Sequence, residues 1–173
     1  MTPPIELSRR VVAALALAAA PIAASAQPAP RPMRLLILGG TGFIGPHQVR
    51  YALARGHKVT VFNRGRRQQD WPGEVEELTG DRNAGDLASL KGRFWDACID
   101  NPTTLPFWVR DAAAVLKGRI EHYLFVSTMS VYADNGTPGQ DETAPLLPYT
   151  GVDAFAERDA SAPMAYGRLK AVS

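Results

Sequence analysis

Cysteine is nearly absent. Cys98 stands alone in 173 residues, so no disulfide can form within the chain. Histidine is scarce too: His47, His57 and His122 are scattered without the spacing of a metal site, and no metal is expected. Neither sign of charge dominates. A formal net charge of +2 excludes a bulk electrostatic drive towards nucleic acid, and no nucleic-acid partner is expected. Long hydrophobic runs are also missing. The apolar stretch from Val11 to Ala20 is too short for a comfortable membrane span, and Pro21 interrupts it. There is no internal repeat. What is present is a chain 46% hydrophobic, enough for one globular domain with a real core.

The first residues read as a processing segment. Ser8-Arg9-Arg10 forms a short basic region before the alanine-rich run, and Ala24-Ser25-Ala26 has the small-x-small pattern of a signal-peptidase site. The paired arginines resemble a twin-arginine export signal, which implies a periplasmic or exported protein. An ordinary secretory signal, or a misassigned start before a cytoplasmic protein, are the alternatives. The expected organisation is a signal at 1–26, a Pro/Ala linker at 27–33, and one domain at 34–173 without a stable membrane anchor.

Beyond the linker, strand and helix patterns alternate. Arg34 to Leu38 is a short apolar run ending in glycine, the pattern of a buried parallel strand. Val49, Ala52 and Leu53 follow at helical spacing, with Pro46 in the first turn and Gly56 as the stop. Further strands are expected at His57 to Asn63, Val75 to Thr79, Ala97 to Asp100 and Tyr123 to Val126. Trp108, Ala112, Val115 and Leu116 share one helix face, which Gly118 closes. A short helix is expected at Leu87 to Leu90, a long surface loop at Asn135 to Pro163, and a last helix holding Tyr166 to Lys170. This order predicts an α/β fold, a doubly wound parallel sheet of the Rossmann type with right-handed crossovers.

Gly39-Gly40-Thr41-Gly42-Phe43-Ile44-Gly45 lies between the first strand and the first helix. Glycines let such a turn tighten and let backbone approach a pyrophosphate. The helix N-terminus then offers free N–H groups and the positive end of its dipole. The flanking strand and helix supply the context that a bare glycine motif lacks. An acidic residue at the end of the second strand would bind the ribose 2′-hydroxyl of NAD. Asn63 stands there, followed by Arg64, Gly65, Arg66 and Arg67. Asparagine removes the charge that repels a 2′-phosphate, and arginine can grip one bidentately. NADP is therefore the expected cofactor, with NAD the alternative. Asp81-Arg82 after the third strand is the expected neighbour of the adenine ring.

Two signals downstream carry proton chemistry. One is Val126-Ser127-Thr128-Met129-Ser130-Val131-Tyr132, and the other is Tyr166-Gly167-Arg168-Leu169-Lys170. Four-residue spacing puts Tyr166 and Lys170 on one helix face. A tyrosine is a poor base at neutral pH, and an ammonium beside it favours the phenolate. A hydroxyl such as that of Thr128 can hydrogen-bond the reacting oxygen, so that a proton moves as hydride passes to or from a nicotinamide.

Glycine turn, Ser-Thr-x-x-Val-Tyr and Y-x-x-x-K stand in the order seen in extended short-chain dehydrogenases/reductases, the NAD-dependent epimerase/dehydratase family. Asp141-Glu142-Thr143-Ala144-Pro145 resembles that family's acidic-proline segment. The resemblance runs from Arg34 to the end of the chain. It implies that Thr128, Tyr166 and Lys170 are the catalytic trio, and that the substrate is a small, carbohydrate-like molecule carrying a hydroxyl or ketone. Met129 and Ser130 stand where sugar-nucleotide dehydratases of the family carry an acidic pair, which argues against 4,6-dehydration. Family members continue past the lysine with more sheet and a small substrate domain, whereas this chain stops at Ser173. The expectation is an NAD(P)-dependent oxidoreductase or epimerase in full-length form, with the chain as given incomplete and inactive. The alternative is a non-catalytic dinucleotide-binding module. The sequence carries no reading of oligomeric state.

Overall fold

The computed structural model describes residues 31–101, 105–159, 161 and 165–173. The export-signal reading, and residues 27–30 of the linker, lie outside the described residues.

Five strands build one parallel sheet: β1 (Arg34–Leu38), β2 (Lys58–Asn63), β3 (Val75–Thr79), β4 (Trp95–Asp100) and β5 (Ile120–Phe125). Their spatial order is β3-β2-β1-β4-β5, so the direction of winding reverses between β1 and β4. Helix α1 (Gly45–Ala54) connects β1 to β2, α2 (Pro106–Leu116) connects β4 to β5, and α3 (Ala165–Ala171) follows the long loop. This is the expected Rossmann-type doubly wound arrangement.

The central strand shows why the order is stable. Successive residues of β1 point to opposite faces. Leu35 and Ile37 join Val49, Ala52, Val59, Val61 and Ala97 in one core. Leu36 and Leu38 join Phe62, Leu90, Trp95, Cys98 and Leu116 in another. The first core lies under α1, the second under α2. A strand covered on both faces favours apolar residues throughout, which is why β1 reads as a run; β2 alternates through Thr60, which is buried and donates its hydroxyl to Glu76 Oε2 at 3.0 Å. A third cluster, Leu105, Phe107 and Leu169, ties α3 to the start of α2.

The structure moves three boundaries. β2 starts at Lys58, because the His57 N–H is bound to the Ala52 carbonyl of α1 at 3.1 Å. β4 begins at Trp95 rather than Ala97, because Asp96 is buried there and its carboxylate accepts the Arg34 N–H at 2.6 Å. β5 runs Ile120–Phe125 rather than from Tyr123 to Val126. It is an edge strand, so its polar Glu121 and His122 are tolerated at exposed positions. The expected short helix at Leu87 to Leu90 is a single 3-10 turn, Ala88–Leu90. The loop after β5 is not featureless: Tyr132 pairs with Leu146, and the Leu147 N–H donates to the Val131 carbonyl at 2.7 Å.

Candidate active site

The turn from Gly39 to Gly45 is shaped by its glycines in two different ways. Gly39 has φ +74°, a conformation that glycine adopts at no steric cost. A Cβ on Gly40 would lie 2.6 Å from Val61 Cγ1, and one on Gly45 would collide with the Gly40 carbonyl. Those two glycines seat α1 against the sheet, and neither lines the cavity described next. Gly42 does line it, and its N–H donates to the Gly39 carbonyl at 3.0 Å.

That cavity, about 340 Å³, opens at the C-terminal ends of β1 and β2. Gly39, Thr41, Gly42, Phe43 and Ile44 form one wall, with Asn63, Arg64, Arg66 and Arg67 beside them. Gly80, Asp81, Arg82, Asn101 and Trp108 complete the lining. A larger groove of about 930 Å³ lies at the opposite end of the strands, between Arg34, Lys58 and Phe94. Volume does not decide between the two. Only the smaller cavity meets a glycine turn, a helix N-terminus and the switch point of the sheet, where ligands of this fold class bind.

The buried polar groups of the smaller cavity fit a nicotinamide dinucleotide. Asn63 is 8% exposed; its Oδ1 accepts the Gly65 N–H at 2.6 Å, while its Nδ2 has no partner among the described residues. A buried donor of this kind at the end of β2 is placed for a ribose oxygen or a phosphate. Gly65, at φ +68°, turns the chain so that Arg64, Arg66 and Arg67 stand exposed around the mouth. The helix N-terminus adds backbone N–H groups without intrahelical partners. If a dinucleotide binds, these groups would hold its adenosine and pyrophosphate parts.

Arg82 lines the cavity, as a residue beside a bound adenine would, and it is held there by its own partners. Its guanidinium makes two bonds to Asp100, at 2.6 and 2.8 Å, and donates to the Trp108 carbonyl at 2.7 Å. It also lies 5.4 Å from the centre of the Trp108 ring. Asp100 is wholly buried and also accepts the Tyr123 hydroxyl. Arg82 is thus a braced wall of the cavity rather than a free cation. Asp81 caps the turn Arg82–Ala84, accepting the Asn83 N–H at 2.9 Å.

The proton-chemistry residues gather at the end of β5. Thr128 precedes the 3-10 turn Met129–Val131, and its Oγ1 accepts the Ser130 N–H at 3.3 Å. Lys170 is 2% exposed and its Nζ donates to the Val126 carbonyl. The same ammonium lies 4.3 Å from the centre of the Phe125 ring and 6.0 Å from that of Tyr166. Burial pushes the Lys170 ammonium below its usual range, and the Asp100 carboxylate pulls it back up. Tyr166, one helical turn earlier, is 40% exposed. α3 presents the tyrosine outward and the lysine inward, and it packs on the 3-10 turn because position 167 is glycine: a Cβ there would collide with the Ser130 carbonyl.

Sequence reasoning missed Asn101 and Trp108 as cavity residues. Trp108 looked like part of an apolar helix face, and only the fold brings its indole to Asn83, whose Oδ1 accepts the Trp108 Nε1–H at 3.0 Å. Asn101 follows β4 without any motif to mark it.

A doubly wound parallel sheet with a glycine turn at its switch point defines a dinucleotide-binding α/β protein. The NAD dependent epimerase/dehydratase family matches residues 35–162, and the chain belongs to that family. It is 31% identical over 114 residues to the chloroplast stem-loop binding protein of 41 kDa b of Arabidopsis thaliana, a match covering 57% of this chain and 30% of that protein. Among solved structures, it resembles the Bordetella bronchiseptica enzyme WbmG in complex with NAD, with TM-score 0.57 and 18% identity over 84% of this chain and 49% of the other. A UDP-galactose 4-epimerase matches with TM-score 0.60 and 22% identity, over 81% and 48% of the respective chains. The chain therefore spans about half the length of these solved chains and 30% of the Arabidopsis protein.

Proposed function

We propose that this chain is the cofactor-binding and proton-transfer part of an NAD(P)-dependent oxidoreductase or epimerase acting on a carbohydrate-like hydroxyl or ketone. The observation that carries the reading is Lys170. A lysine almost never buries its ammonium without cause, yet here it is 2% exposed and held on the Val126 carbonyl, two residues before Thr128, with the Tyr166 ring beside it.

Oxidation of a secondary alcohol removes a hydride from carbon and a proton from oxygen. A bound nicotinamide supplies or accepts the hydride. Tyr166, 40% exposed, takes or returns the proton at its phenolic oxygen. The Lys170 ammonium lies beside that tyrosine, 6.0 Å from the centre of its ring. The Thr128 hydroxyl hydrogen-bonds the substrate oxygen as its charge changes. NADP is the proposed dinucleotide, supported by Asn63 in place of an acid and by the exposed Arg64, Arg66 and Arg67 at the cavity mouth.

The Arabidopsis relative, named for stem-loop binding, favours a second reading in which the same module binds without catalysing. One experiment separates the two. Dinucleotide binding is measured by calorimetry, and turnover on sugar nucleotides is followed at the nicotinamide absorbance and by product analysis, in the full-length wild type and its Gly42→Val and Tyr166→Phe variants. The enzymatic reading expects Gly42→Val to lose binding. It expects Tyr166→Phe to bind normally and lose turnover by about 10²–10⁴-fold. Turnover that survives Tyr166→Phe intact would refute the assignment, and binding without turnover in wild type would favour the non-catalytic module.

A further inference from the structure

We infer that Asn101 reads the dinucleotide: its side-chain carbonyl accepts a hydrogen bond from a hydroxyl on the half of the ligand that lies over β4. The inference rests on the dinucleotide-binding reading above and deepens it.

Asn101 is held from three sides. Its N–H donates to the Leu38 carbonyl at 3.1 Å, which continues the β1–β4 ladder. Its Nδ2 donates to Gln48 Oε1 at 2.7 Å, from the first turn of α1. A Cβ on Gly39 would sit 3.4 Å from Asn101 Cβ, so the residue also lies against the glycine turn. The side chain is 5% exposed and lines the cavity. With Nδ2 committed to Gln48, the atom left is Oδ1, which is buried and finds no partner among the described residues.

A buried acceptor without a donor is costly, and native structures rarely keep one without a use. The chemistry of the missing partner is restricted. A carbonyl oxygen accepts and cannot donate, and phosphate oxygens carry no proton to give in a diphosphate at neutral pH. Pyrophosphate is thereby excluded as the partner; the donors left are the ribose hydroxyls and the amino groups at the outer ends of the two bases, and the position of Asn101 against the glycine turn, next to the pyrophosphate, selects a hydroxyl. The topology says which hydroxyl. Asn63 and Asn101 stand on opposite sides of the end of β1, because the strand order is β2-β1-β4. A dinucleotide crosses the sheet at its switch point, with one nucleotide half on each side. With the adenosine ribose beside Asn63, the hydroxyl over β4 belongs to the second ribose. The two asparagines then form a bracket, with a donor on one side and an acceptor on the other that have no partner among the described residues.

The test compares ADP with ADP-ribose by calorimetry on the chain. ADP-ribose adds the second ribose and carries no nicotinamide, so no turnover is involved. Wild type is expected to bind ADP-ribose about 3- to 10-fold more tightly than ADP, the range of one hydrogen bond. Asn101→Leu should abolish that advantage and leave ADP affinity unchanged. Asn101→Asp keeps an acceptor and should keep the advantage. Equal affinities for the two ligands in wild type would overturn the inference, and that comparison stands even if a variant fails to fold. An advantage that survives Asn101→Leu would overturn it too. So would loss of both ligands in a folded Asn101→Asp, because it would place phosphate at this position. Wild type that binds neither ligand would instead overturn the dinucleotide reading itself, and this inference with it.

Discussion

Arg82 and Asp100 form a two-pronged ion pair, 2.6 and 2.8 Å, with the carboxylate wholly buried and the guanidinium nearly so. The pair joins the turn after β3 to the end of β4, and through the Trp108 carbonyl it reaches the first turn of α2. Three segments that wall the cavity are thus fixed by one guanidinium.

Removing one partner should therefore cost more than removing both. Asp100→Leu leaves a buried guanidinium without its counter-charge, and breaking such a pair typically costs about 3–5 kcal/mol. The double variant Arg82→Met, Asp100→Leu replaces the pair by apolar groups and should be destabilised less than the sum of the single variants. Urea denaturation of the four proteins measures this. Additive losses would mean that the two groups are not coupled.

The same carboxylate gives the fold an alkaline limit. Burial raises the Tyr123 hydroxyl well above the usual tyrosine range, and the Asp100 charge and hydrogen bond raise it further. Burial, then Asp100, likewise raises the Cys98 thiol. In the unfolded chain these groups ionise near their ordinary values, about 8.5 for cysteine and about 10 for tyrosine. A group with a raised folded pKa contributes stability that is complete below the unfolded value and declines above it. Stability should start to fall near pH 8.5, through Cys98, and steepen above pH 10, through Tyr123. Each group adds up to about 1.4 kcal/mol per pH unit. Lys170, lowered by burial, has the opposite slope, and that slope cancels when wild type is compared with Tyr123→Phe. Urea midpoints from pH 8 to 11 should show a shallower decline above pH 10 in Tyr123→Phe. An unchanged slope there would mean that Tyr123 is not the titrating group.

Cofactor preference is open to a similar comparison. Arg64 is exposed at the cavity mouth. A charge-assisted contact contributes about 1.5–3 kcal/mol, and an exposed side chain falls at the low end. Arg64→Ala should weaken NADP about tenfold and NAD little. Equal losses in calorimetric affinity for both would assign the arginines to a solvated loop.

How much of this was legible in the sequence depends on the range of the interaction. The glycine turn and β1 were legible because their signals are local: an apolar run, then glycines, then proline in the first helical turn. The start of β4 was not, because Asp96 looks out of place in a buried strand until the Arg34 N–H is found 62 residues away. The role of Arg82 was hidden for the same reason, since Asp100 lies on a later strand. Tyr166 and Lys170 could be paired by spacing, but nothing in the spacing says that one is exposed and the other buried. Asn101 has no local signature, and only a three-dimensional search for unpaired atoms finds it.

The last prediction concerns Gly167, where helix propensity and packing oppose each other. In an ordinary helix interior, replacing glycine by alanine stabilises by about 0.5–1 kcal/mol. At position 167 the new methyl would collide with the Ser130 carbonyl and lie 3.1 Å from Leu147 Cδ1. Leu147 has some freedom to rotate. The carbonyl does not, because the turn at Met129–Val131 is tied on its far side by the Leu147 N–H to Val131 and the Ala133 N–H to Pro145. α3 must therefore shift outward. Overpacking of this kind costs about 1–3 kcal/mol, which outweighs the helical gain. The shift would also draw Lys170 away from the Val126 carbonyl and move Tyr166 relative to Thr128. Gly167→Ala should melt at a lower temperature than wild type. It should bind dinucleotide with little change, because the glycine turn belongs to β1 and α1, and in the full-length protein it should lose turnover. A raised melting temperature would show that the methyl has room, and would remove Gly167 from the account of how the tyrosine and the lysine are placed.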